Sequence, residues 1–381
     1  VAVPQDLSPA LLKLLDRFRS GQRAGLARAI SLVEDERPGF QAFLHEVMQT
    51  GPRTRRLGMT GPPGAGKSSL VAILCGQYRE AGERLGVVAV DPTSPFSGGA
   101  LLGDRIRMGE FATDPGIFIR SMATRGSLGG LATATKEVLD LMDAFGFDRV
   151  LAETVGVGQT ELEITGATDT VVVVLVPESG DAIQAMKAGL MEIADVFVVN
   201  KADRPGADRL VRELRTSMQL RAGEALRNVP AHHGVDLSRV GKKGRAQDAR
   251  DADEEGAAGA RPAPHGEGPG DPRHPDEPPS EPWEIPILKT DAQSGEGVGE
   301  LREAIEAHGA WLASSGELER RRRERARIRI RDTVERALRR RARDATEAEA
   351  LGPELEAIVE GTETPYSVAA RILEELLGAE G

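Results

Sequence analysis

Apolar positions change period several times along this chain. Over residues 10–50 they recur at helical spacing: Leu11, Leu12, Leu14, Leu15 and Phe18, then Leu26, Ile30 and Val33. Pro38 and Gly51-Pro52 punctuate that stretch, so two or three short helices are expected ahead of a first strand. From 57 to 203 the pattern becomes short apolar runs separated by helical segments. Strands are expected at Leu57–Thr60, Val87–Val90, Ile117–Arg120, Val150–Ala152, Val171–Val176 and Val196–Val199, with another at Ile285–Leu288. The runs are nearly continuous Val and Ile rather than alternating. That marks strands buried on both faces, hence a mostly parallel sheet flanked by helices. Over 241–282 the apolar pattern vanishes: no Val, Ile, Leu, Met, Phe, Tyr or Trp occurs there. Such a segment buries too little apolar surface to offset the entropy of ordering, and a disordered insertion is predicted. Helical spacing returns in a long charged helix over 317–344, where Ile330, Val334 and Leu338 form a thin apolar stripe.

The candidate chemistry lies just after the strands, where open α/β sheets bind ligands. Gly61-Pro62-Pro63-Gly64-Ala65-Gly66-Lys67-Ser68 is a complete phosphate-binding loop between the first strand and a helix opening at Ser69. Its glycines let backbone N–H groups turn inward toward phosphate oxygens. Lys67 suits the β- and γ-phosphates, and the Ser68 hydroxyl suits Mg²⁺. After the Val196–Val199 run comes Asn200-Lys201-Ala202-Asp203, which reads guanine. A buried Asp203 carboxylate accepts from N1–H and the 2-amino group together, and adenine offers no such pair. Asn200 suits the O6/N7 edge and the Lys201 stem the base plane. Thr290 and Ala292, after the 285–288 run, are candidates for contacts to the guanine. On the metal side, Glu153 ends a strand and Gly156 follows three residues later as a γ-phosphate sensor. Asp91 and Asp104 are further carboxylates near the phosphate edge, each a candidate for metal or water; the alternative for either is a turn or helix cap. Val157 stands where many GTPases place a water-orienting Gln, which predicts slow hydrolysis by the protein alone.

Four stretches together resemble the methylmalonyl-CoA mutase-associated GTPases, a branch of the P-loop metallochaperone GTPases. They are 61–69, VDPTSPFSGGALLGDRIRM at 90–108, ETVGVGQTE at 153–161, and NKAD at 200–203. The resemblance covers roughly 10–222 and 283–381, and the 180–189 string looks like that family's extra switch. It implies a P-loop NTPase fold with N-terminal helices and a C-terminal helical dimerisation arm. It implies a GTP-hydrolysing chaperone that gates adenosylcobalamin loading into a cobalamin-dependent acyl-CoA mutase and protects that mutase. GTP or GDP and Mg²⁺ would be the bound groups. Lys67, Asp104 and Glu153 would be catalytic, Ser68, Asp91, Asp104 and Glu153 would surround the metal, and Gln184 and Lys187 would form the partner switch. The implied partners are the mutase, the cobalamin adenosyltransferase in second place, and a second copy of the chain. Two other readings share the loop. A nickel metallochaperone would want a Cys/His pair beside the loop, and a P-loop kinase would leave NKAD unexplained.

Composition narrows this further. The net charge of −11 argues against a general nucleic-acid binder, and the arginine run over 317–344 is interleaved with carboxylates and lacks aromatic residues for base stacking. With no run of 18 apolar residues and no signal pattern, a cytoplasmic protein that does not enter membranes is expected. The single cysteine, Cys75, has no intramolecular partner and fits a reducing compartment. His232, His233, His265 and His274 are too scattered for a metal tract. The expected organisation is a helical segment at 1–50, a GTPase domain at 51–313 carrying the 241–282 insertion, and a helical arm at 314–381.

Overall fold

The computed structural model describes residues 7–49, 51, 53–91, 109–111, 113–123, 133–154, 163–177, 189–221, 282–347 and 351–378. Asp104, Gly156, Val157, Gln184, Lys187 and residues 241–281 lie outside these, and Asp91 is described in its backbone alone.

The chain starts with α1 (Pro9–Arg19), α2 (Arg23–Glu34) and α3 (Phe40–Met48). Ser8 caps α1 by accepting the Leu11 N–H, with Pro9 at the first helical position. There follow β1 (Arg55–Thr60), α4 (Lys67–Glu80), β2 (Leu85–Asp91), β3 (Ile117–Ala123), α5 (Thr133–Phe145) and β4 (Arg149–Thr154). Next come β5 (Thr170–Leu175), α6 (Leu190–Ile193), β6 (Val196–Val199), α7 (Ala207–Arg221), β7 (Ile287–Lys289) and α8 (Val298–Ser315). The chain ends in α9 (Glu317–Ala345), α10 (Gly352–Val359) and α11 (Pro365–Gly378). It divides into two units, Val1–Leu318 and Glu319–Gly381.

In the first unit seven strands form one sheet in the order β3-β2-β4-β1-β5-β6-β7, every pairing parallel. β4 and β5 are buried at every position, as the unbroken Val/Leu runs predict. Alternate residues feed two cores. Val171, Val173 and Leu175 join Leu26, Ile30, Phe43, Leu139 and Met142 on the side of α1–α3 and α5. Val172 and Val174 join Leu70, Leu74, Tyr78, Leu301 and Ile305 on the side of α4 and α8. Phe18 seals the first layer, with its ring edge-on to Phe43 at 5.9 Å and Phe145 at 5.3 Å.

Polar side chains pin the strand starts, the end opposite the phosphate loop. Arg56 is buried between Asp140 and Asp143, at 2.9 and 2.8 Å. Asp143 also accepts the N–H groups of Arg53 and Thr54. His308 of α8 is wholly buried, with Nδ1 2.8 Å from Thr170 Oγ1 and Nε2 3.3 Å from Asp195. These contacts fix the register of β1 and β5 and so aim their far ends at the site.

Candidate nucleotide site

β1 is the central strand and β4 and β5 flank it, so the topology reverses there. The loop leaving β1 must turn back over β5 before α4 starts. Gly61, Gly64 and Gly66 make that turn, all at positive φ (134°, 74° and 89°). At Gly61 a Cβ would lie 2.0 Å from the Val174 carbonyl oxygen, so only glycine lets the loop pass. Gly66 leads directly into α4, which begins at Lys67, two residues before the sequence pattern places it. Leu70, Val71, Leu74, Cys75 and Tyr78 then bury one face of α4.

Lys67 is buried, and its Nζ donates to the Gly61 and Pro62 carbonyls at 2.7 and 2.9 Å. The ammonium is thereby held on the concave side of the loop. Ser68 Oγ donates to Glu153 Oε1 at 2.6 Å, with both side chains buried. The glutamate at the end of β4 reaches the helix start directly. A hydroxyl and a carboxylate make an all-oxygen pair, the donor chemistry Mg²⁺ prefers. Among the described residues no three His, Cys, Asp or Glu gather as a metal centre. A Mg²⁺ held by one or two protein oxygens and completed by phosphates needs no such cage. Beside the pair, Thr154 Oγ1 donates to Thr60 Oγ1 at 2.9 Å, buried between the ends of β4 and β1. The sequence reading missed this bond; two threonines ending otherwise apolar runs were its signal.

The NKAD turn follows β6. Asn200 is buried and its amide is engaged on two sides. Nδ2 donates to the Ala65 carbonyl at 2.7 Å, and Oδ1 accepts from Thr290 Oγ1 at 3.0 Å and from the Ala292 N–H at 3.2 Å. The side chain therefore ties the phosphate loop to the loop after β7. Lys201 takes the left-handed conformation at φ 57°, an uncommon one for a side chain of its size. The Ala202 N–H donates to the Thr290 carbonyl at 3.0 Å. Asp203 is exposed, where the sequence reading had it buried, because the turn carries it past the sheet edge. In the β7 loop Asp291 accepts from the Gln293 N–H and from Ser294, which holds its carboxyl below the usual range.

Burial, with the Glu153 charge second, pushes the Cys75 thiol up to about 12. It stays protonated at neutral pH and serves packing. Of the predicted site residues, the structure gathers Gly61–Ser69, Glu153, Asn200, Lys201, Asp203, Thr290 and Ala292 at one edge of the sheet. Asp91 ends β2 at that same edge.

The model of the methylmalonyl-CoA mutase-associated GTPases matches residues 26–347. A protein named as a GTPase in Pyrococcus horikoshii is 38% identical over 370 residues, 96% of this chain and 98% of that one. The methylmalonic aciduria type A homolog of mouse mitochondria is 41% identical over 217 residues, 52% of each chain. Among solved structures, a LAO/AO transport system kinase superposes with a TM-score of 0.58 at 26% identity, covering 98% of this chain and 99% of that one. Among the described residues no helix is long and apolar enough to cross a membrane.

Proposed function

This chain belongs to the methylmalonyl-CoA mutase-associated GTPases, and we propose that it hydrolyses GTP to gate adenosylcobalamin loading into an acyl-CoA mutase and to protect that mutase. The observation that carries the reading is the Asn200 bridge. It ties the phosphate loop to the NKAD turn and to the loop after β7, which supports the reading that a single nucleotide is held at both ends. The family's association with methylmalonyl-CoA mutase supports the choice of partner.

In this proposal each residue has a task. Loop N–H groups and Lys67 hold the phosphates, and Lys67 tracks charge developing on the transferred group. Ser68 and Glu153 hold Mg²⁺, with Asp91 and Asp104 close by. When bound, that ion neutralises phosphate charge. Asn200 positions, Lys201 lies along the base and Asp203 reads its two donors. An exposed carboxylate suits this task, because it is covered only as the base arrives. Gly156 senses the γ-phosphate, and Gln184 and Lys187 answer to the mutase. The C-terminal helices act as an arm that joins two copies, and the adenosyltransferase is a second partner.

The test is nucleotide titration and turnover with GTP and ATP, with Mg²⁺ and with chelator. GTP should bind at least about 10³-fold more tightly than ATP, as expected of a site built around polar recognition. Turnover should need Mg²⁺, and Lys67→Ala should abolish it. Asp203→Asn should shift preference toward xanthosine triphosphate. Equal affinity for ATP and GTP would sink the guanine assignment.

A further inference from the structure

β1 and β4 lie side by side and both end at the nucleotide edge, β1 in Thr60 and β4 in Glu153-Thr154. Successive strand residues point to opposite faces of the sheet. Met59, in register with Glu153, packs in the α4 layer, and on that face Ser68 Oγ meets Glu153 Oε1 at 2.6 Å. Thr60 and Thr154 turn to the other face. There Thr154 Oγ1 donates to Thr60 Oγ1 at 2.9 Å, and both side chains are wholly buried. The end of β4 is therefore gripped twice, once on each side of the sheet.

Packing does not call for the second grip. Across the sheet the threonine pair stands between Val90 of β2, in register with Thr154, and Val173 of β5, in register with Thr60. Both valines belong to the apolar layer of α1–α3 and α5. Valine has the shape of threonine with a methyl in place of the hydroxyl. An all-valine row would fill the same space without burying two hydroxyls, each of which costs free energy unless it is hydrogen-bonded. What the hydroxyls add is direction, because a satisfied buried hydrogen bond fixes one arrangement where apolar contact tolerates several. The strand ends they join both lead into the site. Gly61, the residue after Thr60, supplies a carbonyl to Lys67 Nζ at 2.7 Å. Glu153, the residue before Thr154, is the carboxylate that meets Ser68.

We infer that the Thr60–Thr154 hydroxyl pair is a positioning element that keeps Glu153 registered to the phosphate loop when Mg²⁺ engages Ser68. The inference rests on the reading of Ser68 and Glu153 as the metal side of the site, and adds a pair that acts through them rather than on the ion. The Ser68 hydroxyl that donates to Glu153 is the same one offered to the metal. With that hydroxyl drawn to an ion, the first grip loosens, and the second, on the opposite face, remains. Groups that orient metal-holding residues without touching the metal are typically worth roughly 10–100-fold in metal affinity.

The experiment is a Mg²⁺ titration of the full chain, of Thr154→Val, of Thr154→Ser, and of a double variant carrying Thr60→Val and Thr154→Val. GDP affinity is measured by calorimetry across Mg²⁺ concentrations and in chelator, GTP turnover across the same series, and urea midpoints report folding. In Thr154→Val the Mg²⁺ concentration at half-effect should rise at least about tenfold. Its GDP affinity in chelator should match the parent's, and excess Mg²⁺ should restore its turnover. Its urea midpoint should fall, because the Thr60 hydroxyl is left buried without its partner. The double variant buries no hydroxyl there, so its midpoint should recover toward the parent's while its Mg²⁺ requirement stays raised. That split separates positioning from stability. Thr154→Ser keeps the hydroxyl and should keep the parent's Mg²⁺ requirement. A parental Mg²⁺ requirement in the Thr154→Val and double variants, or a Thr154→Ser protein as impaired as Thr154→Val, would overturn the inference and leave the pair a packing contact. A parent that binds GDP equally well with Mg²⁺ and with chelator would instead remove the metal reading on which the inference rests.

Discussion

Gly61 and Asp143 sit at opposite ends of β1, and each is set by contacts a few ångströms away. At Gly61 the backbone stands at φ 134° with the Val174 carbonyl 2.0 Å from where a Cβ would be. Gly61→Ala should therefore cost roughly 2–6 kcal/mol, strain and overpacking together, and abolish nucleotide binding. A urea midpoint within error of the parent's would refute it. Asp143 is held by burial that raises its pKa and by Arg56 and two N–H groups that lower it further, so the carboxyl lies below its ordinary value. Its stabilisation is fully present above the unfolded pKa, about 3.9, and is lost as pH falls through the lower folded value. Asp143→Ala leaves Arg56 facing Asp140 with half its ion pairing and should cost about 3–5 kcal/mol near neutral pH. The difference from the parent should shrink in strong acid, as thermal melts against pH would reveal. Lys67 and Ser68 were legible as candidates because the loop motif fixes their spacing, and Glu153 because it ends an apolar strand run. Asp143 was not: its partners come from residues 53–56, and no local pattern joins them.

Elements were read more securely than the bonds between them. The Val-rich runs gave six strands in place, and β7 followed from the weaker Ile285–Leu288 run. The start of α4 was missed by two residues because Gly66, in the left-handed conformation, acts as the cap and Lys67 already lies inside the helix. What sequence cannot supply is the tie between elements distant in the chain. Asn200 joins residue 65 to residues 290 and 292, across 135 and 92 positions. The motif suggested a base contact; the fold gives the amide protein partners. Asn200→Ala would leave the buried Thr290 hydroxyl and the Ala65 carbonyl without those partners, at about 1–3 kcal/mol each. Nucleotide affinity should fall at least about tenfold although Lys67 and Ser68 are untouched, and the phosphate loop should exchange its amide hydrogens faster. Unchanged exchange in residues 61–68 would show that the loop holds its shape without the bridge.

At the scale of the whole molecule the question is what sets the rate of hydrolysis. Three parts of the candidate site are in place: a buried lysine on its loop, a Ser68–Glu153 pair 2.6 Å apart, and the NKAD turn tied through Asn200 to the phosphate loop and to the loop after β7. The position after Gly156, where many GTPases place a water-orienting Gln, holds valine in this sequence. Under the proposed function, a partner that supplies or orders a water-orienting group would act on the transition state. GTP turnover should be slow for the protein by itself and rise by roughly 10²-fold or more when its mutase is added, within the range that groups supplied by a partner achieve. Lys187→Ala, in the segment resembling the family's switch, should keep the unstimulated rate and blunt the rise. A variant that lost the unstimulated rate would move Lys187 into the hydrolytic site itself. The measurement is steady-state phosphate release with and without each candidate cobalamin-dependent mutase. If none of them changes the rate or is retained on the protein in the GTP state, the chaperone proposal fails, and the family's GTPase site would stand without an assigned client.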